Sequence, residues 1–169
     1  MATLLLFTWL LSFDFAQDRQ TPDIHYVPTS NGVAEAMLKL AGTTASDVVY
    51  DLGSGDGRIP IMAAKKFGAK GVGVELDADL IRQSNQNAKK AGVADRVRFV
   101  QDDLFKTDLS EATVIAIYLS NSINFRLRDK FQHLKPGTRI VSHRFTFGDW
   151  KPDAERKLEG TSIYLWTVR

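Results

Sequence analysis

The run VVYDLGSGDGRI (48–59) constrains the fold more than any other stretch of this chain. An apolar segment ends in three glycines at alternate positions, and a helix-compatible segment follows. Pro60 then falls in that helix's first turn, where its missing N–H costs nothing. This is the pattern of a strand, a sharp turn stripped of side chains, and a helix. The same alternation continues along the chain and predicts parallel strands joined by crossover helices.

NGVAEAMLKLAG predicts a first helix with Val33, Met37, Leu40 and Ala41 on one face and a stop at Gly42. DVVYDL is the first strand, and its helix runs from Arg58 to Phe67, ending at Gly68. KGVGVEL is the second strand, followed by a helix through Leu80, Ile81, Ser84 and Ala88 that ends at Gly92. RVRFVQDD is the third, and the short FKTDLSE leaves room for at most one helical turn before ATVIAIYL. That fourth strand is apolar on both faces, as at the middle of a covered sheet. A helix using Leu127, Phe131 and Leu134 precedes KPG, TRIVSH is the fifth strand, and TSIYLWTV closes the chain. The expectation is one α/β domain, a Rossmann-like three-layer sandwich with a mostly parallel sheet and an antiparallel C-terminal strand. Its functional loops lie at the C-terminal edge of the sheet.

Charge decides what the glycine turn holds. Its G-x-G-x-G spacing is neither the G-x-G-x-x-G of dinucleotide folds nor a lysine-bearing phosphate loop. A pyrophosphate at a helix N-terminus needs bare N–H groups, whereas Asp51 and Asp56 would repel it. These acids suit a cationic, phosphate-free ligand such as S-adenosylmethionine. Glu75 ends the second strand, 18 positions after Gly57, where a carboxylate accepts hydrogen bonds from ribose hydroxyls. Asp103 follows the third strand, where an acceptor can reach an adenine amino group. Any one acid alone reads more readily as a solvated strand-end residue; three in register point to the cofactor.

From residue 25 to 169 the chain resembles the class I, seven-strand S-adenosylmethionine-dependent methyltransferases: DLGSGDG is similar to their first motif, VGVELD to the second and QDDLF to the third. The resemblance implies that Asp51, Gly53, Ser54, Gly55 and Gly57 serve the methionine end, Glu75 the ribose, and Asp103 with Leu104 the adenine. HYVPTS (25–30), taken with DLGSGDGRI, resembles the protein-lysine methyltransferases of the ATP synthase c-subunit and adenine nucleotide carrier type and their prokaryotic relatives. NFRLRDKFQHLKPGTRIVSHRF is similar to the non-SET histone lysine methyltransferase. In such enzymes the segment before the first helix folds over the methionine moiety, which implies a lid of Tyr26, Pro28 and Thr29. The plainer reading is that Thr29 or Ser30 caps the helix and Tyr26 fills core.

The acceptor follows less directly. YLSNSIN stands where base N-methyltransferases carry an Asp/Asn-Pro-Pro-aromatic sequence, which makes nucleic acid an unexpected substrate. The expected partner is a protein presenting a lysine at an open rim, the alternatives being RNA, a small molecule or a non-catalytic cofactor-binding module. Tyr26, Tyr118, Ser120 and Asn121 are the candidates to orient the amine, although Tyr118 reads equally as core and Ser120–Asn121 as a turn. Trp150 could wall the acceptor channel or simply pack. RLRDK (126–130), Arg139 and Arg144 read as a solvated basic face or a patch for an acidic partner.

The N-terminal residues 1–24 form a separate segment and linker. LLLFTWLLSF (4–13) is too short to cross a bilayer, which takes roughly 20 residues, but has the length of a secretory-signal core. No Lys or Arg precedes it, and Asp14 lies awkwardly before Ala16. Retained, it would touch a membrane surface and leave the domain in the cytoplasm; cleaved, it would mean export. No cysteine is present, so disulfides and thiolate chemistry are excluded, and three scattered histidines predict no metal site.

Overall fold

The computed structural model describes residues 27–158 and 160–169. The hydrophobic run at 4–13 and Tyr26 therefore lie outside the described residues. The elements are α1 (Asn31–Leu40), β1 (Val48–Leu52), α2 (Arg58–Phe67), β2 (Lys70–Glu75), α3 (Ala78–Ala91), β3 (Val97–Gln101), β4 (Val114–Ile117), α4 (Asn121–Gln132), β5 (Arg139–His143), β6 (Ala154–Leu158) and β7 (Thr161–Thr167). They form one seven-stranded sheet in the order β3-β2-β1-β4-β5-β7-β6. The first five strands run parallel, and β7 pairs antiparallel with both β5 and β6.

β4 is central and buried at every residue, because both faces of the sheet are covered. On one face Val33, Met37 and Leu38 of α1 and Ile59 and Ala63 of α2 meet Val49, Val114, Ala116, Val141 and Ile163. The other face holds Ile123, Leu127 and Phe131 of α4 against Ile115, Ile117, Ile140 and Trp166. Between β3 and β4 the chain forms no helix, and Leu104 and Leu109 of that connection fill the second core instead.

The helix boundaries follow local chemistry. Ser30 accepts from the Val33 N–H at 3.2 Å to cap α1, and Asp77 accepts from Asp79 N–H at 2.7 Å to cap α3. Gly68 and Gly92, both with φ of +72°, end α2 and α3 as the sequence predicts. The expected antiparallel C-terminal strand is β7, and a further strand not foreseen from the sequence, β6, pairs with it at the sheet's edge, so the antiparallel part is a hairpin. AERKL is exposed at its three central residues and half-buried at its ends, a polar edge strand that apolar patterning does not reveal.

Asp47 ties the lower end of the sheet together. It accepts from Thr113 Oγ1 at 2.7 Å and Thr44 N–H at 2.7 Å, and pairs with Arg139, which also donates to the Ala41 carbonyl at 2.8 Å. Although burial opposes ionisation, the hydrogen bonds from Thr113 and Thr44 and the Arg139 cation hold the Asp47 carboxyl below its usual range. A depressed acid stabilises the fold above the unfolded-state pKa, and that stability is lost as pH falls through the folded value. Asp47→Asn is expected to destabilise the domain by about 2–3 kcal/mol at pH 7. Denaturant melts at pH 7 and pH 3 check this, the deficit shrinking at the lower pH. Among the described residues no helix is long and apolar enough to cross a membrane.

Candidate active site

The strand order reverses between β1 and β4, and open α/β sheets bind ligands in the crevice beyond the carboxyl ends of such a pair. The glycine turn lies there. Gly53, Gly55 and Gly57 have φ of +79°, +52° and +79°, conformations that side chains other than glycine rarely adopt. The turn is anchored from two directions. The Gly53 and Ser54 N–H groups donate to the Val74 carbonyl at 2.8 and 3.0 Å. From α3, Ser84 Oγ donates to the Gly55 carbonyl at 2.9 Å and Asn87 Nδ2 to the Asp56 carbonyl at 3.0 Å. A Cβ on Gly57 would lie 2.6 Å from the Phe99 ring, and one on Gly73 would lie 2.5 Å from the same ring and 2.6 Å from Ser54 Oγ. The turn is thus packed against the sheet as a rigid cradle.

Asp51 is the pivotal acid. It is only 4% exposed, and its carboxyl receives no hydrogen bond among the described residues. Burial first, then the nearby Glu75 and Asp56 carboxylates, push its pKa up to about 8. A carboxyl buried without a donor fits the cationic amine of a bound amino-acid moiety and is ill suited to a phosphate. Asp56, read from sequence as a second repelling acid, behaves differently: Arg58 grips both its oxygens, Nε to Oδ1 at 3.0 Å and Nη2 to Oδ2 at 2.7 Å. Arg58 also donates to the Thr29 carbonyl at 2.7 Å, tying the segment before α1 to the glycine turn. The DGRI spacing contained that ion pair, but only the fold shows that it reaches Thr29.

Glu75 lies at the end of β2. Its Oε2 accepts from the Gly55 N–H at 3.0 Å, and Oε1 accepts from the Leu76 and Asp77 N–H groups at 2.8 and 3.1 Å. A carboxylate has roughly four acceptor sites, so capacity remains for hydroxyl donors. Leu76 beside it is half exposed at the rim, an apolar residue the sequence reading passed over. Asp103 is partly buried and uses Oδ1 to accept from Phe105 N–H at 2.9 Å, while Leu104 points into the core.

Across the cleft, the Leu119 side chain faces Gly53. Tyr118 is half-buried, with its ring 4.0 Å from that of His143 and 6.2 Å from that of Phe145. His143 Nδ1 lies 3.3 Å from Thr29 Oγ1 and Nε2 lies 3.1 Å from Thr161 Oγ1. Burial and then the Arg144 cation hold its pKa below the usual histidine value. This imidazole, read in the sequence only as one of three scattered histidines, joins the pre-helix segment, the residue after β4 and β7 at the cleft's edge. Thr29 is buried, whereas Pro28 is exposed. Ser120 is the N-cap of α4, accepting from Ile123 N–H at 3.4 Å, and Asn121 begins that helix in solvent. Trp150 packs against Phe147 and Trp166, with its carbonyl accepting from Trp166 Nε1 at 3.0 Å. It is therefore a packing partner of the C-terminal hairpin. No cluster of three or more metal-ligating side chains occurs among the described residues.

Comparison with known proteins agrees with this geometry. Residues 51–154 match the ANTKMT methyltransferase domain. A protein-lysine N-methyltransferase from Saccharolobus islandicus is 42% identical over 87% of this chain and 95% of its own length. The adenine nucleotide translocase lysine N-methyltransferase of Mus musculus is 33% identical over 91% of this chain, which spans 67% of that longer protein. Among solved structures, an RNA methyltransferase from Salinibacter ruber in complex with S-adenosyl-L-homocysteine superposes with a TM-score of 0.82. It is 54% identical over 84% of this chain and 94% of its own.

Proposed function

We propose, from the premise that this chain belongs to the ANTKMT methyltransferase domain family and is an S-adenosylmethionine-dependent methyltransferase, that its methyl acceptor is the ε-amino group of a lysine on a protein. The observation carrying this is the 42% identity to a protein-lysine methyltransferase over nearly the full length of both chains. The ion pairs, glycine cradle and paired acids then fall into roles. The Asp51 carboxylate and the turn Gly53-Ser54-Gly55 with Gly57 hold the amino-acid end of the cofactor, with Pro28 and Thr29 alongside. Glu75 takes the ribose hydroxyls, and Asp103 and Leu104 border the adenine. Bound S-adenosylmethionine supplies an electrophilic methyl on a cationic sulfur.

The protein's remaining task is to deliver a neutral amine. A lysine is ordinarily protonated, with a pKa of about 10.4, and desolvation beside a cation lowers that value. Tyr118 is positioned to align the amine, held by its ring contact with His143, with Ser120 and Asn121 at the rim and Tyr26 on the segment before α1. Alignment of nucleophile and methyl contributes rate by holding the reacting atoms in a near-attack geometry. Tyr118→Phe keeps the ring contact and removes one hydroxyl. It is expected to lower kcat about tenfold, the worth of one hydrogen bond in the transition state, with cofactor affinity unchanged; steady-state kinetics against cofactor titration check this.

The Salinibacter relative favours a second reading, transfer to RNA. Incubating the protein with isotope-labelled cofactor and cell lysate separates the two. Label sensitive to protease and recovered as methyl-lysine supports the lysine assignment, and label sensitive to ribonuclease refutes it.

A further inference from the structure

The end of β5 carries a backbone anomaly that the cofactor cleft does not require. The Phe145 N–H donates to the His143 carbonyl at 2.9 Å, closing a three-residue turn centred on Arg144, whose φ is +70°. Among the described residues Arg144 alone has positive φ without being glycine. Such γ-turns are rare and strained. The neighbouring strand maintains the strain, since the Arg144 N–H donates to the Ser162 carbonyl at 2.7 Å. Glycine would take this conformation freely, so what the turn gains from arginine is its side chain. Backbone outliers of this kind cluster at ligand clamps.

Beside the turn lies a groove of about 750 Å³, lined by Ser30, His143, Arg144, Lys157, Thr161 and Tyr164 among others. Arg144 and Lys157 are both exposed, and neither pairs with a carboxylate among the described residues. No acid is among the described lining residues. The groove also adjoins the acceptor side of the cleft, because the His143 ring on its wall lies 4.0 Å from the ring of Tyr118.

We propose that this groove docks an acidic stretch of the substrate protein, Arg144 and Lys157 pairing with carboxylates that flank the acceptor lysine. This rests on the lysine reading above. Two isolated cations in a short groove match one or two carboxylates, and the planar guanidinium can engage one of them bidentately. A nucleic-acid track needs a longer basic stripe, because affinity accumulates over many phosphates.

The test uses the full chain and two lysine peptides that differ only in carrying Asp/Glu or Asn/Gln at positions flanking the lysine. The acidic peptide is expected to be methylated with a kcat/KM about five- to tenfold higher, through KM, as two partly exposed ion pairs allow. Arg144→Gly is expected to abolish most of that preference while leaving kcat and cofactor affinity unchanged. Its melting temperature should not fall, because glycine relieves the turn. Lys157→Gln should remove the remainder. Equal use of both peptides by the wild type, or an undiminished preference in Arg144→Gly, overturns the proposal. So does an RNA oligonucleotide whose binding weakens in Arg144→Gly while peptide kinetics stay the same. Should neither peptide be methylated while RNA is, the lysine assignment itself fails, which separates the two failures.

Discussion

Replacing Asp51 by asparagine is expected to weaken S-adenosylmethionine binding by about a hundredfold or more while making the ligand-free protein more stable. Both halves follow from one geometry. A carboxyl that is 4% exposed, without a hydrogen-bond donor and flanked by Glu75 and Asp56, is held at a pKa near 8. Raised above its unfolded value near 3.9, it opposes folding: its folded form binds the extra proton, so stability is greatest at low pH and declines as pH rises toward 8. At pH 7 the neutral amide removes a penalty on the order of 2–4 kcal/mol, each pKa unit being worth about 1.4 kcal/mol. This slope is opposite to that of Asp47, whose contribution disappears as pH falls. In the role proposed above, the same carboxylate faces the cationic amine of the cofactor, and Asp51→Asn removes that pairing. Removing one partner of a buried charge pair costs about 2–5 kcal/mol of affinity. Thermal melts across pH 4–8 together with calorimetric titration of cofactor check the pair of effects.

The second large effect is structural. Gly57→Ala is expected to destabilise the domain by about 2–5 kcal/mol, combining the cost of a left-handed conformation with that of overpacking. At φ of +79° the new Cβ would meet the Phe99 ring at 2.6 Å and Ser84 Cβ at 2.9 Å. For a domain of this size the melting temperature falls by about 5–15 °C. Phe99→Leu in the same chain should restore part of the loss, because it relieves the ring clash but not the backbone. A double-mutant cycle read by thermal denaturation measures that coupling. Absence of any rescue would place the whole cost in the backbone.

The strand-turn-helix unit from β1 to α2 was legible because everything that shapes it is local: an apolar run, glycines at the sharp turn, a proline in the first helical turn. β4 was legible for a similar reason, since burial on both faces leaves an unbroken apolar run. β6 was not, because an edge strand can be polar on most of its surface and is held by pairing, here Arg156 opposite Ile163 and Glu155 opposite Tyr164. In the site, Asp51, Glu75 and Asp103 could be placed at strand ends from spacing alone. Their environments could not. Glu75 meets Gly55 across 20 residues, and Thr29 meets His143 across 114. The pairing of Asp56 with Arg58 is likewise hidden, so that a charge read as purely repelling is an ion-paired one whose effect on Asp51 Arg58 partly offsets. His143 and the Arg144 turn emerge only when β5, β7 and the segment before α1 converge. No periodic pattern announces such a meeting of distant segments.

The role proposed for Asp51 makes cofactor selectivity depend on a buried acid that gives up its proton on meeting a cation. Calorimetry of S-adenosylmethionine binding at pH 7, repeated in buffers of different ionisation enthalpy, counts that proton directly. The wild type should release close to one proton per cofactor bound, as a carboxyl with a pKa near 8 ionises on meeting the amine, and Asp51→Asn should release none. Binding with no proton release in the wild type, or equal release in both proteins, would contradict it.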